Sequence, residues 1–446
     1  MATVRPFKGI RYNKSEIDDL SKVVAPPYDV ISESQQAELC DRHPRNVVRL
    51  ILGEPGENDG DSQSFYNASA ERFKAWREEG TLAPDVLPSI YLTAVDFAVR
   101  GRTYTRYGIM AYVGLEPFEN KVVLPHERTS SKVKTDRLNL IKTTRANYCQ
   151  IFSLYNDPSN EVLNMVREAV QDTSPENDLV DDAGERHRLW VINDSAVIEK
   201  VAAAMREKRL YIADGHHRYE TALNYKKWVA ENDPDYDENH PANFIMMYLT
   251  STTDPGLIIL PTHRLLPDVS REVLTGLVDR AGKFFDIKQI PFESGNRKEA
   301  QAEFMSELRA GSSENTIGLA INGQSAFYLL TPRADAIEEV LGDAVPPTLR
   351  RLDVTILTQM ILIRILGYTQ AQLDEEKVID YSSDDEEAVE AVLSGEYSVS
   401  FLLNATRNDQ MQSVAAEGEI MPRKTTFYYP KVLTGLVMSS KEPDRT

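Results

Sequence analysis

The chain has 446 residues, more than the roughly 100–200 of a usual single domain, so two or three lobes are expected. Hydrophobic residues at 41% and charged residues at 27% are ordinary globular values and exclude wholesale disorder. With 50 Lys and Arg against 69 Asp and Glu the net charge is −19, a surface that repels phosphate backbones and argues against a nucleic-acid partner.

The acidic runs Glu375-Glu376 and Asp384-Asp385-Glu386-Glu387 read as solvated surface rather than as metal sites. Two cysteines, Cys40 and Cys149, are too few for a disulfide framework and have no local catalytic signature, so they read as structural thiols. The first residues lack the apolar stretch of a signal peptide, and no apolar run approaches the ~20 residues that span a bilayer. The expected setting is cytoplasmic and reducing, with no membrane partner; a homodimer is left open.

In chain order, Pro26 and Pro27 exclude a helix over 25–30, because each pushes its predecessor into extended geometry. Ser32 is placed to cap a helix running to about Arg42, 53–60 reads as a loop, and 65–79 reads as a helix ended at Gly80. Segments 89–99 and 103–114 flank Arg100-Gly101-Arg102 as an antiparallel hairpin. A helix near 136–143, a short strand around 150–154 and helices over 159–171 and 194–208 follow. A short buried strand at 210–213 then runs into Asp214-Gly215-His216-His217-Arg218, and Tyr219, Ala222, Leu223 and Val229 continue at helical spacing.

Further strands are expected at 243–251 and 256–260, and a helix over 270–285. A hairpin over 316–330 turns at Asn322-Gly323, a pair that tolerates positive φ at both centres. An apolar helix over 353–366 and a strand at 397–405 come next. The aromatic, β-branched stretch 425–438 is interrupted by Pro430, which makes it an edge strand or a loop crossing a site. Together these elements give an α/β protein with mixed sheets. The expected lobes are a mostly helical wrap at 1–85, a core at 86–269 and an α/β lobe at 270–446 that ends in the aromatic segment.

The sharpest chemical feature is the strand–loop–helix junction at Asp214. Gly215 permits positive φ or close backbone approach. Helix-start amides favour anions, and Arg218 adds a fork that fits phosphate. His216 and His217 add donors, and Asp214 at the strand end is placed to hold Mg²⁺ or to orient a substrate. A second segment, Pro125-His126-Glu127-Arg128, offers Glu127 as a general base, or else a polar loop whose Glu127 pairs with a neighbouring cation. No second histidine follows four positions on, so a zinc protease is excluded. Pro261-Thr262-His263-Arg264 either presents side chains at the same rim or is a strand-end turn. In 422–431, basic residues interleave with aromatics; Lys424, Tyr429 and Lys431 are placed to hold phosphate and stack a base, while Phe427 and Tyr429 are equally able to pack inward.

Four segments together resemble a widespread prokaryotic family known as domain of unknown function 1015: APPYDV at 25–30, LPHE at 124–127, ADGHHR at 213–218 and MPRKTTFYYP at 421–430. The pair PHE and DGHHR also resembles the free serine kinases of the ParB/sulfiredoxin-like fold, which phosphorylate the hydroxyl of free L-serine with ADP or ATP. That resemblance implies a ParB/sulfiredoxin-like nucleotide-binding core at 86–269 with large additional lobes. It implies Glu127 as catalytic base, Asp214 as the second catalytic acid, and Gly215, His216, His217 and Arg218 as nucleotide-phosphate binders. His126, His263, Lys424, Tyr429 and Lys431 join as weaker substrate-binding candidates. Here 87 residues (214 − 127) separate the two acids, more than in the compact kinases, so insertions must be looped out. Sulfiredoxins carry a cysteine where this chain has His216, and the basic helix-turn-helix regions of ParB are missing.

The expected activity is therefore a small-molecule kinase making O-phospho-L-serine from L-serine with ATP or ADP and Mg²⁺. The alternatives are a nucleotide-binding regulatory protein of the same fold without transfer, and a phosphohydrolase.

Overall fold

The computed structural model describes residues 1–57, 62–375 and 378–443. Glu376, read above as solvated surface, and part of the 53–60 loop lie outside the described residues. The chain forms two compact units, one of residues 1–258 with 430–446 and one of residues 259–429. Both are mixtures of helix and sheet, the α/β class expected. No helix among the described residues is long and apolar enough to cross a membrane.

The first unit is built on a nine-stranded mixed sheet. Its strands are β1 (Val4–Arg5), β2 (Ile90–Val99), β3 (Arg102–Gly114), β4 (Val123–Leu124), β5 (Ile151–Tyr155), β6 (Asn177–Val180), β7 (Arg186–Ile192), β8 (Leu210–Asp214) and β9 (Phe244–Ser251). They lie in the order β4-β8-β5-β9-β3-β2-β7-β6, with β1 beside β3. The β2–β3 hairpin closes on Arg100 and Gly101 at φ 49° and 74°, the left-handed pair that matches strand twist. Two pairs are parallel, β4 with β8 and β5 with β9. One face buries Ile109, Ala111, Val113, Ile151, Leu210, Ile212, Met247 and Leu249 against α4 (Glu161–Val170), α5 (Ser195–Arg206) and the start of α6 (His216–Asn232).

A second core in this unit gathers the N-terminal segments. Here α1 (Glu33–Arg42) starts at a capping box between Ser32 and Gln35. With α2 (Ser62–Glu78) it packs Leu39, Cys40, Phe73 and Trp76 around Val48, Ile51, Tyr148 and Cys149. Both cysteines are free and buried. α3 (Ser131–Thr144) packs against α2 and α6.

The second unit has an antiparallel six-stranded sheet of β10 (His263–Leu266), β11 (Phe285–Pro291), β12 (Ile317–Ile321), β13 (Ala326–Pro332), β14 (Asp380–Ser382) and β15 (Val399–Leu402), in the order β11-β13-β12-β15-β10-β14. α7 (Arg297–Ala310) and α8 (Asp385–Leu393) cover one face through Phe304, Leu308, Val389 and Val392.

Several local expectations change here. The helix expected over 270–285 breaks at Gly276 into Arg271–Thr275 and Leu277–Ala281, and its last residue opens β11. Glycine is the weakest ordinary helix former, and one serves here as the end of one helix and the start of the next. At Asn322-Gly323 only Gly323 takes positive φ, because the connection is longer than a two-residue turn. The acidic run at 384–387 is not all solvated. Asp384 caps α8, and Asp385 accepts from His263 at 2.9 Å and from Arg309 at 2.7 Å. In the aromatic segment only Phe427–Tyr429 is strand, and Tyr428 is the residue that packs inward.

Gly108 on β3 is required by close packing. A Cβ there would sit 2.1 Å from the Tyr248 ring, which lies across the strand. Gly108→Ala is expected to lower stability by about 1–3 kcal/mol, read as a lower denaturant midpoint with an unchanged m-value.

Candidate active site

The two motifs meet because of strand order. β4 and β8 are adjacent and parallel, so their C-terminal ends open at the same edge of the sheet. β4 leads directly into Pro125-His126-Glu127, and β8 ends on Asp214. The 87-residue gap in sequence therefore vanishes in space. α3, β5, α4, β6, β7 and α5 are the insertion between them.

A bulge then sets the direction of Asp214. On β8, Ile212 pairs with Ser153, but Asp214 pairs with Phe152, so Ala213 is an extra residue. Without it Asp214 would face the apolar helical layer along with Ile212. The bulge turns the carboxylate to the opposite face. Gly215 follows at φ 96° and starts α6 with no side-chain cap. A Cβ on Gly215 would come within 3.0 Å of the Arg218 guanidinium, so both backbone and packing call for glycine.

Asp214 is largely buried between two cations, with 15% of its side chain exposed. Its Oδ1 accepts from Lys431 Nζ at 2.7 Å, and its Oδ2 accepts from Arg218 Nη2. Arg218 also donates Nη1 to the Gln150 carbonyl. Burial pushes the Asp214 carboxyl up, but Lys431 and Arg218 hold it well below the usual carboxylate range. Arg218 in turn feels the charges of Asp214 and Asp29 and stays protonated despite burial. The APPYDV segment, where the prolines exclude a helix, thus supplies Asp29 and Tyr28 to the surroundings of Arg218; burial pushes the Tyr28 hydroxyl up to about 12.

The histidines form a second layer. His216 Nε2 accepts the His126 backbone N–H at 3.3 Å, which leaves the proton of the neutral ring on Nδ1. Nδ1 lies 3.5 Å from Glu127 Oε2, so the ring orients that carboxylate. The His126 and His216 rings meet edge to face at 4.6 Å. Burial lowers the His126 pKa to about 4, and burial with the neighbouring His126 takes His216 well below its ordinary value. His217 Nε2 accepts the Ser130 N–H at 2.8 Å. Glu220 accepts from Thr129 at 2.7 Å and from Lys134, fastening the loop after Glu127 to α6.

The structure thus brings together His126, Glu127, Asp214, Gly215, His216, His217, Arg218 and Lys431, all within the first unit. Arg218 and His216 are committed to internal partners, and Glu127 is the more open carboxylate, with 37% of its side chain exposed. His263, Lys424 and Tyr429 belong to the second unit. There His263 is fully buried, bonded to Asp385 at 2.9 Å and to the Leu403 N–H at 3.1 Å. Lys424 is exposed at φ 54°, and Arg264 donates to its carbonyl at 2.9 Å. Sequence reasoning missed Gln150, Ser130 and Glu220. Each acts through a backbone atom or a long-range side-chain contact that no local pattern marks.

The donor set does not fit a resident Mg²⁺. Both Asp214 oxygens are occupied by ammonium and guanidinium groups, and those charges already compensate the carboxylate. Among the described residues the one cluster of three metal-type side chains is elsewhere, at Asp181, Glu185 and His187.

Residues 4–355 match the sequence profile of a family described as protein of unknown function (DUF1015). The chain belongs to the DUF1015 family. No curated protein matches it. A free serine kinase in complex with AMP is similar at 10% identity and a TM-score of 0.35, over 75% of this chain and 90% of the kinase. A conserved hypothetical protein from Pyrococcus furiosus is similar at 10% identity and a TM-score of 0.34, over 75% of this chain and 94% of that one. A C-terminally truncated SbnI from Staphylococcus aureus gives 10% and 0.34, over 74% and 86%. At this level of likeness the chemistry rests on the residues themselves.

The neutral histidines give the fold an acid limit. His126 titrates near 6.5 when unfolded and near 4 when folded, so the unfolded chain binds the extra proton between those values. Stability is full above pH 6.5 and is lost as the pH falls toward 4. His126→Gln is expected to remove about 2 kcal/mol of the stability loss between pH 7 and pH 5. Denaturant melts at the two pH values check this.

Proposed function

We propose that the chain is a small-molecule kinase that transfers a phosphoryl group from ATP or ADP to a hydroxyl acceptor, with L-serine as the first candidate. The observation that carries this reading is the delivery of Glu127 and Asp214-Gly215-His216-His217-Arg218 to one sheet edge by two adjacent parallel strands. The motif likeness to free serine kinases selects the reaction and the acceptor.

In this reading the uncapped start of α6 and the Lys431 ammonium hold the nucleotide phosphates. Arg218 keeps Asp214 ionised and fixed, and Asp214 positions Lys431. The acceptor oxygen bonds to the terminal phosphorus. The bond from that phosphorus to the bridging oxygen breaks, and the departing nucleotide keeps the electron pair. The hydroxyl proton passes to Glu127, whose orientation is set by the neutral His216. Such transfer depends mainly on positioning and charge, with modest help from a base. Magnesium, in this reading, is a companion of the nucleotide phosphates, and no step is assigned to it.

The test is incubation of the purified chain with ATP or ADP, Mg²⁺ and L-serine, with phosphoserine read by mass spectrometry. Glu127→Gln is expected to lower turnover by about 10²–10⁴-fold while keeping nucleotide binding. Asp214→Asn is expected to abolish turnover and also to lower stability by about 3–5 kcal/mol, because it leaves buried cations unpaired. Its activity is therefore read beside a melting curve. Nucleotide binding without phosphoserine removes serine from the proposal; full turnover in Glu127→Gln removes the base.

A further inference from the structure

A buried guanidinium with two nitrogens unpartnered among the described residues lies on the same sheet face as Asp214. Asp214 of β8 pairs with Phe152 of β5, Phe152 with Tyr248 of β9, and Tyr248 with Met110 of β3. Directly paired residues share a face, so these four form one row across the sheet. Arg106 lies on β3 two residues beyond Gly108, on that same face. The bare Gly108 lets the Tyr248 ring lie across the strand, and Arg106 reaches to the row over it. Its Cζ sits 4.9 Å from the Phe152 ring centroid and 5.4 Å from that of Tyr248. The two rings meet at 80°, so the guanidinium occupies the notch between them.

Arg106 is 0% exposed. Nε donates to the Tyr248 hydroxyl at 3.2 Å, but among the described residues Nη1 and Nη2 have no hydrogen-bond partner. The carboxylate that feels its charge, Asp254, is used by the amides of Tyr107 at 3.3 Å and Gly256 at 2.8 Å. A guanidinium cannot shed its proton, so burial without an anion hydrogen-bonded to its fork is a standing cost to the fold. The two unused nitrogens are the edge of the fork that meets a planar carboxylate in two parallel hydrogen bonds. The aromatic notch holds that fork in one orientation.

We propose that Arg106 binds the carboxylate of a small carboxylate-bearing acceptor, whose other end lies toward Asp214. The name of the acceptor rests on the kinase reading above; the carboxylate site itself does not. Such a site selects hydroxy acids and amino acids over neutral alcohols, since an uncharged compound leaves the fork unpaired.

The experiment uses the full chain, Arg106→Met and Arg106→Lys, with ATP present. Calorimetry measures binding of L-serine and of serinol, the same compound with its carboxylate replaced by a hydroxymethyl group. Arg106→Met is expected to melt no lower than wild type, to bind ATP within twofold of wild type, and to lose at least 100-fold in L-serine affinity. Arg106→Lys is expected to recover part of that loss, and serinol is expected to bind all three proteins equally weakly. Equal binding of L-serine and serinol by wild type, or undiminished L-serine binding by Arg106→Met, overturns the assignment and leaves the kinase reading standing. If wild type binds no L-serine, then D-glycerate, L-homoserine, L-threonine and L-malate are titrated in turn. Arg106-dependent binding of any of them supports the carboxylate site and rejects serine. Failure of all of them overturns the site.

Discussion

The arrangement depends on one buried carboxylate. Asp214 is turned out of the apolar layer by a single extra residue in β8 and is then held between Lys431 and Arg218. Of the two cations only Arg218 is local, four residues on in the same junction. Lys431 comes from the segment that returns to the first unit after residue 429, and Arg218 is braced against Gln150 at the start of β5. A charge network of this kind is weak evidence for stability, because its desolvation offsets much of its attraction. Its effect is geometric: three charged side chains from two segments far apart in sequence are fixed at the edge where Glu127 also emerges.

The two histidines extend the same logic to the base. A neutral His216 ties its two nitrogens to the His126 amide and toward Glu127, and burial keeps it neutral across the physiological range. The ring therefore acts as a spacer of fixed polarity. The carboxylate with the greater exposure faces the acceptor side in the proposed reaction, and the carboxylate with the greater burial anchors the phosphate side. Two acids with opposed environments and separate roles are the usual way one site handles charge at neutral pH.

Much of this was legible in the sequence because the informative features are local. The Ser32 cap, the Arg100-Gly101 hairpin and the strand–glycine–helix junction at Asp214 each follow from backbone preference over a few residues. The pairing of the PHE and DGHHR segments was legible only through their resemblance to a known family, since the parallel contact of β4 and β8 is a topological fact. The β6–β7 hairpin and α7 went unread, and the helix at 270–285 was overextended past Gly276. The commitment of His263 to Asp385 and Leu403 could not be seen either, because both partners lie more than a hundred residues away. Arg106 carried no signal at all. It is a single arginine in a β-rich run, and its isolation is a property of the packed sheet.

The most direct measurement is a calorimetric titration of ADP into the full chain and into Lys431→Met, at fixed ionic strength. The account expects ADP to bind wild type, and the variant, folded as judged by a cooperative melt at a somewhat lower temperature, to bind at least tenfold more weakly. ADP affinity unchanged by Lys431→Met, or no ADP binding by the wild-type chain, contradicts the assignment of this cluster as a phosphate site.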